Sequence, residues 1–187
     1  MKIYTLNHRF FKLDGKLMTV PPPPPSDEVT IGTQTWKRTN LSIDDGQGGI
    51  YTQTVNYGQG DVIEYYYTWD AAVRVAGSVQ GWHLPSDDEW RTLANQIGGK
   101  SIAGTKLKST YGWSSGNGTD DYGFRVLPAG YMYSGSLTYF GSSALFWTSY
   151  ILSKYAYYTN FNTTEAINWY SYNKNDSYSL SVRLIKD

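Results

Sequence analysis

The 187 residues carry 16 basic and 16 acidic side chains, a balance that offers no net attraction toward nucleic acid or an anionic membrane as the main partner. There is no Cys, which excludes disulfides, thiolate metal ligands and a cysteine nucleophile. The length suffices for one domain with a real core plus an appendage.

In chain order, residues 1–20 are interrupted by charges at Lys2, Arg9, Lys12, Asp14 and Lys16. They hold no apolar run of signal-peptide or spanning length, so neither a cleaved leader nor membrane insertion is expected. Phe11, Lys12 and Leu13 lead through Asp14-Gly15 into Lys16, Leu17 and Met18, the pattern of a β-hairpin. Such a hairpin is marginal alone. Residues 1–20 are therefore expected to form an assembly arm that buries Phe10, Phe11, Leu13 and Leu17 against another copy or a carrier protein. Residues 21–28 read as a linker, since the five prolines at 21–25 form a polyproline II strut of roughly 15 Å at ~3.1 Å per residue. A spacer is favoured there over a ligand for a proline-binding domain. The domain proper spans 29–187.

Residues 29–41 contain two short strand-like pieces around a turn at Gly32. Residues 44–60 hold seven Gly or Asp and read as loop. Thr68 opens a short helix with Trp69, Ala72, Val73 and Ala76 on one face and Gly77 as its stop. A second helix begins at the capping box Ser86-Asp87-Asp88-Glu89, buries Trp90, Leu93, Ala94 and Ile97, and ends at Gly98-Gly99. Capping and the helix dipole account for that acidic cluster without a metal or an acid–base pair. His83, beside Trp82 and Pro85, reads as a structural hydrogen-bonding group. The loop 117–121 (Asn-Gly-Thr-Asp-Asp) clusters three oxygen ligands but lacks the fuller set of a calcium loop, so a turn held by Asx bonds is expected. No catalytic residue, metal or cofactor is predicted.

The run from Tyr150 to Tyr178 is unusual in composition: seven of its residues are Tyr, five Asn, three Ser and three Thr. Buried hydroxyls and amides need partners, so this is a poor core, and disordered chain is poor in aromatics. Tyr gives rigid amphipathic area and Asn, Ser and Thr give adaptable hydrogen bonds, which is the alphabet of a recognition surface. An exposed antiparallel sheet would use the same residues for their strand propensity. Composition alone leaves both readings open.

Several segments, in order, resemble one family: residues 31–36 (IGTQTW), 67–72 (YTWDAA), 81–86 (GWHLPS) with Glu89-Trp90, 103–109 (AGTKLKS), 116–124 (GNGTDDYGF), 127–130 (LPAG), 146–149 (FWTS) and 181–183 (SVR). Together they are similar to the fibrobacter-type major paralogous domain. The resemblance implies a C-type-lectin-like α+β fold, two helices with mixed, mostly antiparallel strands, here preceded by the hairpin arm. The Gly-Trp-His-Leu-Pro segment also resembles formylglycine-generating enzymes of that fold. Those work through cysteines, and this chain has none. The Glu-Pro-Asn and Gln-Pro-Asp tripeptides of calcium-dependent sugar-binding lectins are absent as well.

Proteins of this fold also serve as variable proteins of diversity-generating retroelements, including phage tropism determinants. In these, Asn codons are randomised at their first two bases, which yields Tyr, Ser, Asp, Thr, Leu or Phe but never Lys, Glu, Gln, Trp or Met. The resemblance thus implies a diversified face within about 131–178, with a candidate contact set of Leu145, Tyr150, Leu152, Tyr155, Tyr158, Asn160, Asn162, Tyr170, Tyr172, Asn175, Asp176 and Tyr178. These are expected to be largely exposed and to gather on one face. Trp82, Trp90, Phe124, Trp147 and Trp169 are expected to be framework aromatics. The expected function is a receptor-binding protein, a phage tail-tip adhesin, taking a host cell-surface protein or glycan and assembling as a homo-oligomer, a trimer, through its arm. The alternative is a bacterial cell-surface protein of structural or adhesive role; an enzyme of the formylglycine-generating type is the remaining one. The corresponding locations are the virion or the bacterial surface.

Overall fold

The computed structural model describes residues 26–174 and 177–187 in full and the backbone of 10–13 and 16–19. In the latter, β1 (Phe10–Leu13) pairs antiparallel with β2 (Lys16–Thr19), in the hairpin register expected, with Leu13 opposite Lys16. The side chains assigned to the arm, and the five prolines, lie outside the described residues.

Two strands, β3 (Glu28–Ile31) and β4 (Gln34–Lys37), follow and pair across a turn at Gly32, whose φ of 57° is left-handed. Residues 44–60 are not simply loop. Their middle forms β5 (Ile50–Asn56), in register with β6 (Asp61–Tyr67) over seven pairs. The Gly and Asp that suggest loop sit at both ends of β5, and the alternating Ile50-Tyr51-Thr52-Gln53-Thr54-Val55 between them is a strand pattern.

Helix α1 (Trp69–Ala76) starts at Thr68, whose hydroxyl accepts from the Ala71 amide. It buries Ala71, Ala72, Val75 and Ala76, whereas Val73 points outward, so the stripe lies one step around from the face predicted. After the short strand β7 (Trp82–His83), α2 (Asp87–Gln96) forms with both halves of the Ser86–Glu89 capping box in place. A third helix, α3 (Lys100–Leu107), was not expected. Its sequence has no amphipathic period and no side-chain cap, and it is held by packing. A Cβ at Gly104 would lie 2.5 Å from the Glu165 carbonyl oxygen, so only glycine lets this helix approach the chain so closely.

The second half is sheet. Strands β8 (Tyr131–Tyr133) and β9 (Ser136–Thr138) form a hairpin whose two-residue loop, Ser134-Gly135, has positive φ at both positions, as a type I′ turn requires. Strands β10 (Ser143–Leu152), β11 (Tyr155–Asn162) and β12 (Ile167–Asn173) make an antiparallel sheet with β11 in the centre. A bulge interrupts the register of β10 between Trp147 and Ile151. Strand β13 (Tyr178–Ser179) joins β8, and β14 (Ile185–Lys186) inserts between β4 and β7. The fold is thus α+β with antiparallel sheets.

Opposite faces of the β10–β11–β12 sheet serve two cores, because successive strand residues alternate in direction. Ala144, Phe146, Phe161 and Ile167 pack with α2 and α3 around Trp90, whose ring lies 4.7 Å from Trp36 and 5.5 Å from Phe146. Leu145, Trp147, Ala156 and Tyr158 pack with α1, Tyr67 and Leu180. Trp147 closes the second core by donating its indole N–H to the Tyr67 carbonyl at 2.7 Å. Of the predicted framework aromatics, Trp90, Phe124 and Trp147 are buried. Trp82 and Trp169 are only half-buried, because they pack at the margins of the two cores, where cations lie over their rings: Lys37 and Lys186 over Trp82, Arg91 over Trp169.

Candidate functional site

In an antiparallel sheet, directly opposed residues share a face. Tyr158 opposes Trp147 on β10 and Tyr170 on β12, while Ala156 opposes Tyr172. The face that buries Leu145 and Trp147 at one end therefore presents Tyr158, Tyr170 and Tyr172 at the other. Tyr178 from β13 lies flat on Tyr172, with centroids 3.7 Å apart and planes within 5°. Tyr172 in turn stacks on Tyr158 at 4.5 Å, and Tyr158 reaches Tyr170 at 5.9 Å.

The β8–β9 hairpin extends this row. Tyr133 packs on Tyr178 at 4.7 Å, Tyr131 lies 5.9 Å from Tyr178 and 6.4 Å from Tyr172, and Tyr139 stacks on Tyr131 at 5.9 Å. Seven tyrosines, from Tyr131 to Tyr178, thus form one connected aromatic surface built from two sheets. Tyr158 is its buried base, and Tyr133, Tyr139 and Tyr170 are its exposed crest, Tyr139 being 62 % exposed. Tyr139 also holds a left-handed φ of 55°, a conformation that costs a bulky residue energy and recurs at functional sites. Burial, reinforced by neighbouring phenols, raises the Tyr131 hydroxyl to about 12 and pushes Tyr158 higher still. Both remain protonated at neutral pH and can donate hydrogen bonds.

The predicted contact set divides. Tyr150, Leu152, Tyr155 and Tyr170 are exposed, as expected, and Tyr172 and Tyr178 are half-buried within the stack. Leu145 and Tyr158, expected at the surface, are 3 % and 6 % exposed and belong to the core. Both fall on the β10 and β11 positions that face α1, where codon identity says nothing about burial. Asn160 is half-buried, and Asn162 is a turn former, its Oδ1 accepting from the Thr164 amide and hydroxyl. Asn175 and Asp176 lie outside the described residues. Nor does the set gather on one face. Leu152 opposes Tyr155 on the side of the sheet away from Tyr158, Tyr170 and Tyr172. At that tip of the β10–β11 hairpin, Tyr150 packs edge-on against Tyr157 at 4.8 Å.

Tyr131, Tyr133 and Tyr139 are absent from the predicted contacts. Their signal is the alternating Tyr-Met-Tyr before Ser134-Gly135, a strand leading into a tight turn with both rings on one side.

The other candidates resolve structurally. His83 is held between carboxylates, Nε2 at 2.9 Å from Glu89 and Nδ1 at 2.8 Å from Asp187. In the 117–121 loop, Asn117 accepts from the Trp113 amide and Asp120 from the Arg125 amide. Among the described residues no group of three or more His, Asp or Glu is arranged to hold a metal ion. No described helix is long and apolar enough to cross a membrane.

No curated protein and no solved structure matches the chain. The family model described as the Fibrobacter succinogenes major domain matches residues 29–186, which takes in both cores and every tyrosine of the stacked surface. By that match the chain belongs to the Fibrobacter succinogenes major domain family.

Proposed function

We propose that this domain is a non-enzymatic binding module of a bacterial cell-surface protein with an adhesive role, and that its contact site is the stacked tyrosine surface. The observation that carries the reading is the continuity of the seven rings across two sheets, with hydroxyl-bearing edges exposed along the crest. Interlocked tyrosines present large area with little side-chain freedom left to lose on binding. The family match agrees with a surface-domain role. A C-type-lectin-like frame is supported by the last strand, β14, pairing with β4 from the start of the domain, which brings distant ends of the fold into one sheet. The ligand would be a cell-surface protein or glycan.

The test is binding of the fluorescently labelled protein to a printed glycan array and to intact bacterial cells. Replacing Tyr139 and Tyr170 together with Ala should abolish binding while the melting temperature stays close to that of the parent. Undiminished binding by that variant would remove the tyrosine surface from consideration.

A second reading, a retroelement-diversified phage tail-tip adhesin assembling as a trimer, is favoured by a separate observation. The exposed hairpin tip carries Tyr150, Leu152 and Tyr155, all residues that Asn-codon randomisation can produce. It requires a near-copy of the 3′ end of the coding sequence, differing at adenines, beside a reverse transcriptase gene. Sequencing the surrounding DNA decides it.

A further inference from the structure

Five arginines lie within the described residues, and they fall into two groups. Arg74 and Arg91 are paired with Asp45 and Asp87. Arg38, Arg125 and Arg183 form no ion pair with any described residue, and all three line the same cavity of about 410 Å³. Glu64 is the one carboxylate in the lining, and both its oxygens already accept from Asn40 and Tyr57, so three cations face a single occupied carboxylate and the hollow favours an anion. The volume lies within the range of about 300–1,000 Å³ typical of small-molecule sites.

The floor is already satisfied. Arg183, 1 % exposed, donates to Asn40 Oδ1 and to the carbonyls of Lys37, Arg38 and Phe124. Asn40 passes its amide to Glu64, which also accepts from the Tyr57 hydroxyl at 3.0 Å. The rim is not. Arg38 spends Nε on the Gly123 carbonyl, leaving its terminal nitrogens without a described partner. The Arg125 guanidinium donates to no described residue, yet its backbone is held at a left-handed φ of 53° by the bond from its amide to Asp120. Maintaining a strained conformation at a residue with an unengaged cation suits a binding role. Beside these cations stand the half-buried rings of Tyr65 and Tyr111 and the polar side chains of Thr39 and Ser42.

We propose that this cavity is a second ligand site, and that it takes a carboxylated sugar. The Arg38–Arg125 pair receives the carboxylate, the tyrosine rings receive the face of the pyranose, and Thr39 and Ser42 serve its hydroxyls. Inorganic phosphate would satisfy the arginines but leave the aromatic walls uncovered. The lining shares no residue with the stacked tyrosine surface, so the two sites stand or fall separately.

The experiment is calorimetric titration of the 187-residue chain with D-glucuronate, D-glucose and inorganic phosphate. Saturable glucuronate binding is expected, at least about tenfold tighter than glucose and weakened by added salt. Arg125→Gln should lower glucuronate affinity by about tenfold or more, whereas Lys100→Gln, which removes an exposed cation outside the cavity, should leave it unchanged. Should Arg125→Gln fail to fold, Arg38→Gln carries the same expectation. No saturable glucuronate binding, equal binding of glucose, tighter binding of phosphate, or full affinity in a folded arginine variant each overturns the proposal.

Discussion

His83 shows how one side chain ties the end of the chain to a helix start. Burial opposes its charge, but hydrogen bonds to Glu89 and Asp187 outweigh that and raise its pKa above the usual histidine value. Glu89 responds in the opposite direction: burial works against its ionised form, yet bonds from the Ser86 amide, His83 and the Ser86 hydroxyl hold its pKa below the usual carboxylate range. A raised folded-state pKa contributes stability that is complete below the unfolded value of about 6.5 and is lost as pH rises through the folded value. A lowered carboxylate contributes above its unfolded value of about 4.3 and fades as pH falls. The pair is therefore strongest between those limits. His83→Gln should lower the melting temperature most near pH 5.5, and the difference should shrink toward pH 9. Melting curves of both proteins across that range check this; a difference independent of pH would mean the ring acts by shape alone.

Among elements, the β10–β11–β12 sheet separates surface from core residue by residue. Trp147→Ala removes a buried indole and its bond to Tyr67, and a loss of about 3–5 kcal/mol is expected. Tyr172→Ala unstacks Tyr178 and Tyr158 and should cost an intermediate amount, about 1–3 kcal/mol. Tyr155→Ala, at the exposed tip, should cost well under about 1 kcal/mol. Urea unfolding of the three variants checks the order. Helix α3 provides a second test. By propensity Gly104→Ala should favour the helix by about 1 kcal/mol, yet the added Cβ would lie 2.5 Å from backbone at Glu165. A net destabilisation is expected, and a stabilised variant would show that α3 can shift away from β12. These two elements also mark where sequence was and was not sufficient. Helix α2 was legible because Ser86 and Glu89 carry its start locally, while α3, capped by Gly99 without a side chain, exists only through its tertiary contact. Strand β5 was hidden by the glycines around it.

For the whole molecule, the ordered motifs from Ile31 to Arg183 were enough to place the family, and the match over 29–186 agrees. The tyrosine surface was legible in composition but not in geometry. Codon chemistry selects residue types, whereas burial of Leu145 and Tyr158 is decided by which side of β10 and β11 meets α1. Nothing in the local sequence states that side until the register is known. The arm remains an expectation at this scale: the full chain should oligomerise, and a version starting at Ser26 should be monomeric. Light scattering over a concentration series distinguishes them, and two monomers would rule out self-assembly through residues 1–20.

The bulge in β10 has an evolutionary consequence. Between Ser143 and Trp147, inward positions alternate between the two cores, so Ala144 and Phe146 serve one and Leu145 and Trp147 the other. Every position from Ala144 to Trp147 is thus held by one core or the other. Beyond the bulge, from Ile151 to Tyr155, the paired strands leave both cores and their side chains are half-buried or exposed. The irregularity is thus a border in mutational tolerance, with heritable variation silenced on one side by folding and admitted on the other. A lineage under pressure to change what it recognises could explore the hairpin tip freely without renegotiating the architecture beneath it.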